Sequence, residues 1–160
     1  MGMELRGFGD EHGRLVAGWT RTAQEVGVLS GREEYPFPAD LIGSWHKDDP
    51  DIESYLYFDG ETPVGYGEVW LDDEEDEVEL ARVIVDPDRR GRGIGAELVR
   101  ALLKPAVAAG HPDIFLRVRP ENAVAIRTYL GVGFVDVSQQ EMDEWNAAQP
   151  VAYRWMRYAG

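Results

Sequence analysis

The chain reads as one α/β domain spanning residues 1–160. Three observations lead to that class. Two alternating apolar runs, Ile52 to Phe58 and Val64 to Leu71, meet at Asp59-Gly60, a dipeptide that favours the tight turn of a β-hairpin. A third run, Val78 to Val85, passes through Asp86-Pro87-Asp88 into a glycine-rich segment and then into the helical pattern Ala96 to Leu103. Finally, 160 residues with 44% hydrophobic content can enclose a single core, and no shift in composition divides them.

Taken in order, Met3 to Arg6 suits a short first strand. Leu15, Trp19, Ala23 and Val26 recur at helical spacing within Arg14 to Val26, and Pro38 to His46 reads as a second short helix, the two forming a cap. The hairpin strands follow, and Val78 to Val85 returns after the acidic turn Asp72 to Glu77. A helix is expected over Gly93 to Ala109, with Pro105 kinking it or ending its first segment near Lys104, because proline has no N–H for the preceding turn. The strand Ile114 to Val118, the helix Asn122 to Leu130, and strands near Phe134 to Ser138 and Val151 to Tyr158 complete the series.

Several classes of chemistry fall away at this stage. There is no cysteine, hence no thiol nucleophile and no disulfide framework, and the three histidines lack metal-ligand spacing, so no metal is expected. No stretch approaches 18 consecutive apolar residues and the N-terminus has no signal pattern, so a soluble cytoplasmic protein without membrane partners is expected. The net charge of −14 is unevenly spread. Residues 82 to 127 hold nine of the 16 basic residues and five of the 30 acidic ones, a local balance of +4 that leaves −18 elsewhere. A basic centre suits an anionic cofactor, whereas the acidic remainder disfavours nucleic acid and attracts a cationic amine; acidic surface also serves solubility, which is reason enough for the run Asp72 to Glu77.

Arg90-Gly91-Arg92-Gly93-Ile94-Gly95 is the most informative segment. Glycines at the start of a helix allow backbone amides to converge on an anion at the positive end of the helix dipole, and Arg90 and Arg92 add charge. A Walker A loop would require Lys followed by Ser or Thr after the last glycine, and a dinucleotide fingerprint would require G-x-G-x-x-G with a later acid; neither is present. The spacing Arg90-x-x-Gly93-x-Gly95 resembles the pyrophosphate loop of the GNAT superfamily of N-acetyltransferases. Downstream, Asn122-x-x-Ala125-x-x-x-Tyr129-x-x-x-Gly133-Phe134 is similar to the second signature of that superfamily at each of its fixed positions, and the two signatures occur in the family's order. The likeness is specific over roughly residues 63 to 135.

That resemblance implies a central mixed, mostly antiparallel sheet of about six to seven strands flanked by helices, and acetyl-CoA as cosubstrate. It places Arg90, Gly91, Arg92, Gly93, Ile94 and Gly95 around the pyrophosphate, with the backbone of Val83 and Val85 and the side chain of Asn122 along the pantetheine arm. Asn122 also suits a helix cap. A lysine-like amine is only roughly 0.04% neutral at pH 7, so its attack on a thioester requires a base. The resemblance assigns that place to Glu79, eleven residues before Arg90, with Glu68 and Asp72 as alternatives on the neighbouring strand. Tyr129, nearly two helical turns after Asn122, takes the place of the phenol that protonates the departing thiolate; packing against Phe134 is the other explanation for it.

The acceptor is less defined. Trp19, Tyr35, Phe37, Trp45, Trp70 and Trp145, with Glu25, Glu33, Glu34 and Glu68, are candidates to line its site, and Tyr35-Pro36-Phe37-Pro38 is the best candidate for a substrate loop. Acidity favours a small cationic amine such as a polyamine or aminoglycoside. Acetylation of a protein N-terminus or lysine, and an acyl-CoA-binding sensor without turnover, are the alternatives. An exposed final strand would also offer an edge for a homodimer.

Overall fold

A computed structural model describes residues 2–21, 44 and 49–160. Its centre is a seven-stranded sheet formed by β1 (Met3–Gly7), β2 (Ile52–Asp59), β3 (Thr62–Asp72), β4 (Glu77–Val85), β5 (Asp113–Val118), β6 (Phe134–Asp136) and β7 (Arg154–Tyr158). The strand order is β1-β2-β3-β4-β5-β7-β6, with β4 and β5 parallel and every other pair antiparallel. The expected mixed, mostly antiparallel sheet is therefore present. The hairpin at Asp59-Gly60 closes with Asp59 opposite Thr62, and Gly60 takes the left-handed conformation at φ +60° that the two-residue turn demands.

Four α-helices lie among the described residues: α1 (Gly13–Gly18), α2 (Ile94–Ala108), α3 (Ala123–Val132) and α4 (Gln139–Asn146). Helix α2 connects the parallel strands β4 and β5 and covers one face of the sheet, where Leu98, Leu102 and Ala106 pack with Val64, Val69, Leu80, Leu116 and Phe134 in the larger core. It sits close to β3 because Gly67 has no side chain; a Cβ there would lie 2.5 Å from Leu102 Cδ1. On the opposite face Val16, Trp19, Leu56, Phe58, Tyr66 and Ile84 form a second cluster beneath α1.

Two expectations require correction and one is narrowed. Of the two outcomes expected at Pro105, an end to the first segment near Lys104 is ruled out: the helix runs on to Ala108, and the Ala109 N–H bonds to the Pro105 carbonyl at 3.1 Å. Burial of Leu102, Leu103 and Ala106 on either side of the proline outweighs its one missing N–H. The first helix stops at Gly18 rather than continuing to Val26; Trp19 and Thr20 close it, the Thr20 hydroxyl donating to the Ala17 carbonyl at 2.7 Å. The final strand is not an edge, since β7 lies between β5 and β6, so pairing of β7 across a dimer is excluded by the sheet order. Val26 and the second helix expected over Pro38 to His46 fall outside the described residues, apart from the helical Ser44.

Helix α4 was not foreseen. Its signal was present in Ser138-Gln139-Gln140-Glu141: the Ser138 hydroxyl accepts from the Glu141 N–H and the Glu141 carboxylate accepts from the Ser138 N–H, a reciprocal capping box.

Candidate active site

The glycine loop lies where the sequence placed it, between a 3-10 turn at Pro87–Arg89 and α2. Asp86 caps that turn by accepting from the Asp88 N–H at 3.0 Å. Gly91 and Gly93 adopt φ of +81° and +80°, conformations that L-residues adopt only with strain, and a Cβ on either would meet no atom within 4 Å. The first intrahelical bond of α2 runs from the Glu97 N–H to the Gly93 carbonyl, so the amides of Ile94, Gly95 and Ala96 at the helix start have no intrahelical partner. Open space, unpaired helix-start amides and the exposed Arg92 together suit a pyrophosphate. The Arg90 side chain folds back, its Nε donating to the Val85 carbonyl at 3.2 Å, and ties the loop to the end of β4.

Strand β4 separates from β5 along its second half. The parallel register joins Glu77, Val78 and Glu79 to Asp113, Ile114 and Phe115 and stops there, although β4 continues to Val85 and β5 to Val118. The β3–β4 register also shifts between Tyr66 and Glu68, and Arg82 adopts φ +51° at the shift, as expected of a bulge that bends a strand away from its neighbour. Val83 and Val85 lie in this separated part, partly buried against the larger core. Along the far side, Asn122 caps α3 by accepting from the Ala125 N–H at 3.3 Å. Tyr129 is half-buried on α3, its ring 6.1 Å from that of Phe134, and burial pushes its phenol up to about 12, which keeps the proton in place at neutral pH.

The face of the sheet opposite α2 carries a network of carboxylates, arginines and aromatic rings. Glu68 is fully buried; it accepts from the Tyr66 hydroxyl, from Trp70 Nε1 at 2.7 Å and from Arg82 Nη1 at 3.1 Å. Burial raises its carboxyl above the usual range, opposed by the Arg82 charge and those three hydrogen bonds. Glu79 stands opposite Trp70 in the register and is held by a two-point pair, with Arg117 Nε 2.7 Å from Oε2 and Nη2 2.9 Å from Oε1. The Arg117 guanidinium carbon lies 4.7 Å from the centre of the Trp155 ring, and Arg82 stacks over Trp70 at 4.9 Å.

Beside this network opens a cleft of about 800 Å³ whose lining includes Asp49, Asp51, Trp70, Asp72, Glu77, Glu79 and Phe115. Its carboxylates crowd one another: the Glu77 carboxyl is raised first by burial and then by Asp113 and Asp72. Such a site attracts a cation and presents aromatic faces to its alkyl portion. Among the described residues, no group of three or more His, Cys, Asp or Glu is placed to hold a metal ion.

The sequence-predicted residues thus divide into two sets. Val83, Val85 and Arg90 to Gly95 form a continuous path along β4 into α2, with Asn122 and Tyr129 on the adjoining α3, while Glu79 opens onto the acidic cleft with Trp70 and Asp72. Glu68 lies behind that cleft without solvent access, and Trp19 is buried in the second core. Trp145 packs against Phe115 and Trp155, with ring centres 5.4 and 5.3 Å away. Tyr35, Phe37, Trp45, Glu25, Glu33 and Glu34 lie outside the described residues. Sequence reasoning missed Arg117, Arg82 and Trp155. Alternation alone puts Arg117 on the face of β5 opposite Ile114, Leu116 and Val118; that this face meets Glu79 depends on which strand lies beside β5.

Comparison with known proteins agrees with the fold. Residues 16–134 match the Acetyltransferase (GNAT) family. The [ribosomal protein bS18]-alanine N-acetyltransferase of Salmonella typhimurium is 39% identical over 59 residues, covering 37% of this chain and 40% of that protein. The mycothiol acetyltransferase of Clavibacter michiganensis subsp. michiganensis is 36% identical over 69 residues, covering 43% of this chain and 22% of that protein. In each case the matched stretch spans well under half of the relative's length. Among solved structures, the aminoglycoside acetyltransferase AAC(6')-Ib with coenzyme A and kanamycin superposes with a TM-score of 0.76 at 16% identity, covering 98% of this chain and 94% of that one. The spermidine N-acetyltransferase of Vibrio cholerae with CoA and spermine does so with a TM-score of 0.73 at 18% identity, covering 97% and 92%.

Proposed function

The chain belongs to the acetyltransferase (GNAT) family, and from that premise we propose that residues 1–160 act as one acetyltransferase domain. It moves an acetyl group from acetyl-CoA to a primary amine of a small cationic acceptor, by direct attack in a ternary complex. The observation that carries the choice of acceptor is the acidic, aromatic-lined cleft onto which Glu79 opens. Acetyl-CoA supplies the activated acyl group. The helix-start amides of α2 and Arg92 hold its pyrophosphate, and the backbone of Val83 and Val85 together with Asn122 aligns the pantetheine arm.

Within that complex Asp49, Asp51, Asp72 and Glu77 hold the acceptor's charge, and Glu79, directly or through a water, takes a proton from the acceptor's ammonium, freeing the neutral amine to attack the thioester carbonyl. Tyr129, whose phenol stays protonated at neutral pH, gives a proton to the sulfur as the thioester bond breaks. Complete burial weighs against Glu68 as the direct base in this reading; Asp72 is the alternative in the cleft. A cytoplasmic location agrees with this chemistry, and no helix among the described residues is long and apolar enough to cross a membrane. A second copy that extended the sheet would pair with β1 or β6, the two outer strands among the described residues.

The experiment is a panel of amines with acetyl-CoA, read as free thiol. It includes spermidine and kanamycin, because the two superposed enzymes are complexed with compounds of these types, and a peptide beginning with alanine, because of the relative that acetylates a ribosomal protein. Turnover with a polyamine or aminoglycoside is expected. Turnover with the peptide alone would reassign the acceptor, and tight acetyl-CoA binding without turnover on any amine would indicate a sensor.

A further inference from the structure

We propose that Arg117 is a positioning residue for acyl transfer, which fixes the orientation of the Glu79 carboxylate toward the acceptor cleft; the proposal rests on the reading of Glu79 as the base. The pairing is of the two-point kind, with one guanidinium N–H on each carboxylate oxygen at 2.7 and 2.9 Å. Such a fork fixes the carboxylate plane and uses one lone pair on each oxygen, leaving the others for a proton arriving from the cleft. The guanidinium is itself held in place. Its third nitrogen, Nη1, donates to Gln149 Oε1 at 3.1 Å, and its plane is enclosed by Trp155 at 4.7 Å, Tyr153 at 5.6 Å and Trp70 at 5.9 Å.

The arrangement has a consequence for the substrate. A carboxylate beside several aromatic faces is the place an alkylammonium ion would itself seek, and here the chain fills it with its own cation. The acceptor's nitrogen is thereby kept from the inner side of Glu79 and directed to the outer side, the one lining the cleft with Phe115. Lysine could supply the charge but not the fork, since an ammonium is a single point of charge and cannot hold two oxygens in one plane.

A simple tie between β4 and β5 would also use such a pair, so the test must separate the two roles. Turnover is measured on the acceptor found by the amine panel, for wild type, Arg117→Gln, Arg117→Lys, Glu79→Gln and the double variant Glu79→Gln/Arg117→Gln. Arg117→Gln is expected to lower kcat by 10- to 100-fold with the KM for acetyl-CoA unchanged, as a rough expectation for a misplaced catalytic group. In the Glu79→Gln background the same change should alter kcat by less than about twofold, because Arg117 acts through Glu79 and nothing remains for it to orient.

Losses that multiply in the double variant, or full kcat in a folded Arg117→Gln, would overturn the proposal. Should Arg117→Gln fail to fold with an unpaired carboxylate in place, Arg117→Lys carries the test: a loss of kcat at least tenfold supports orientation by the fork, and wild-type kcat refutes it. Failure of the base assignment has a different signature, visible in Glu79→Gln alone as a wild-type pH–rate profile.

Discussion

Replacing Glu68 by alanine should reveal how strongly the carboxylate network supports the cleft. The side chain is fully buried and accepts from three donors, so Glu68→Ala takes this acceptor from the Tyr66 hydroxyl and Trp70 Nε1 and breaks the Glu68–Arg82 ion pair. Each unsatisfied buried donor costs about 1–3 kcal/mol, and removal of one member of a buried ion pair costs about 3–5 kcal/mol in all. Arg82 keeps its contact with Trp70 and a side chain 19% exposed, which places the total toward the lower figure. At roughly 2–4 °C per kcal/mol for a chain of this size, melting should fall by about 6–12 °C.

Glu68→Gln keeps one oxygen acceptor and should lose about 1–2 kcal/mol. The pH dependence separates charge from shape. Burial raises the Glu68 carboxyl, so the folded state holds that proton more tightly than the unfolded chain does. The associated stability is fully present below the unfolded value of about 4.5 and is lost as pH rises through the folded value. The difference between wild type and Glu68→Gln should therefore move against wild type as pH rises above about 4.5. Urea unfolding followed by tryptophan fluorescence and far-ultraviolet circular dichroism measures both effects. A loss under about 1 kcal/mol in Glu68→Ala, or a difference independent of pH, would refute the account of a strained buried carboxylate at the centre of the network.

Three further outcomes follow from the site. Glu79→Gln should be slow near neutral pH and recover as rising pH deprotonates the amine unaided; a loss uniform across the pH range at saturating acetyl-CoA would limit Glu79 to binding the cation. Tyr129→Phe keeps the ring contact with Phe134, so turnover should fall by about 10- to 1,000-fold with stability nearly unchanged, and full turnover by thiol release would make the hydroxyl dispensable. Gly93→Asn puts a side chain into the open space of the loop while tolerating the left-handed φ of +80°; calorimetry should show acetyl-CoA affinity reduced about tenfold or more, and wild-type affinity in the folded variant would remove the loop from the cofactor site.

Local chemistry made much of this legible in advance. The turn at Gly60, the strand and helix on either side of Gly91 to Gly95, and the cap at Asn122 all depend on residues within a few positions of one another, and the sequence reading of each agrees with the structure. One of the two outcomes expected at Pro105, an end to the helix, failed where a local rule competed with packing. Pro105 is a helix breaker by its own chemistry, yet the buried Leu102, Leu103 and Ala106 hold α2 together across it.

By itself the sequence determined the family signatures, the glycine loop and the positions of Glu79 and Tyr129 along the chain, because each is written in consecutive or helically spaced residues. Tertiary structure alone decided what stands next to Glu79. Arg117 is 38 positions away, and the two meet because β4 and β5 lie side by side in parallel, joined through α2. The same holds for β7, which comes last in the chain but lies inside the sheet. Side-chain alternation tells which face of a strand a residue occupies; the neighbouring strand is selected by burial of the whole sheet, a sum over contacts that no local spacing records.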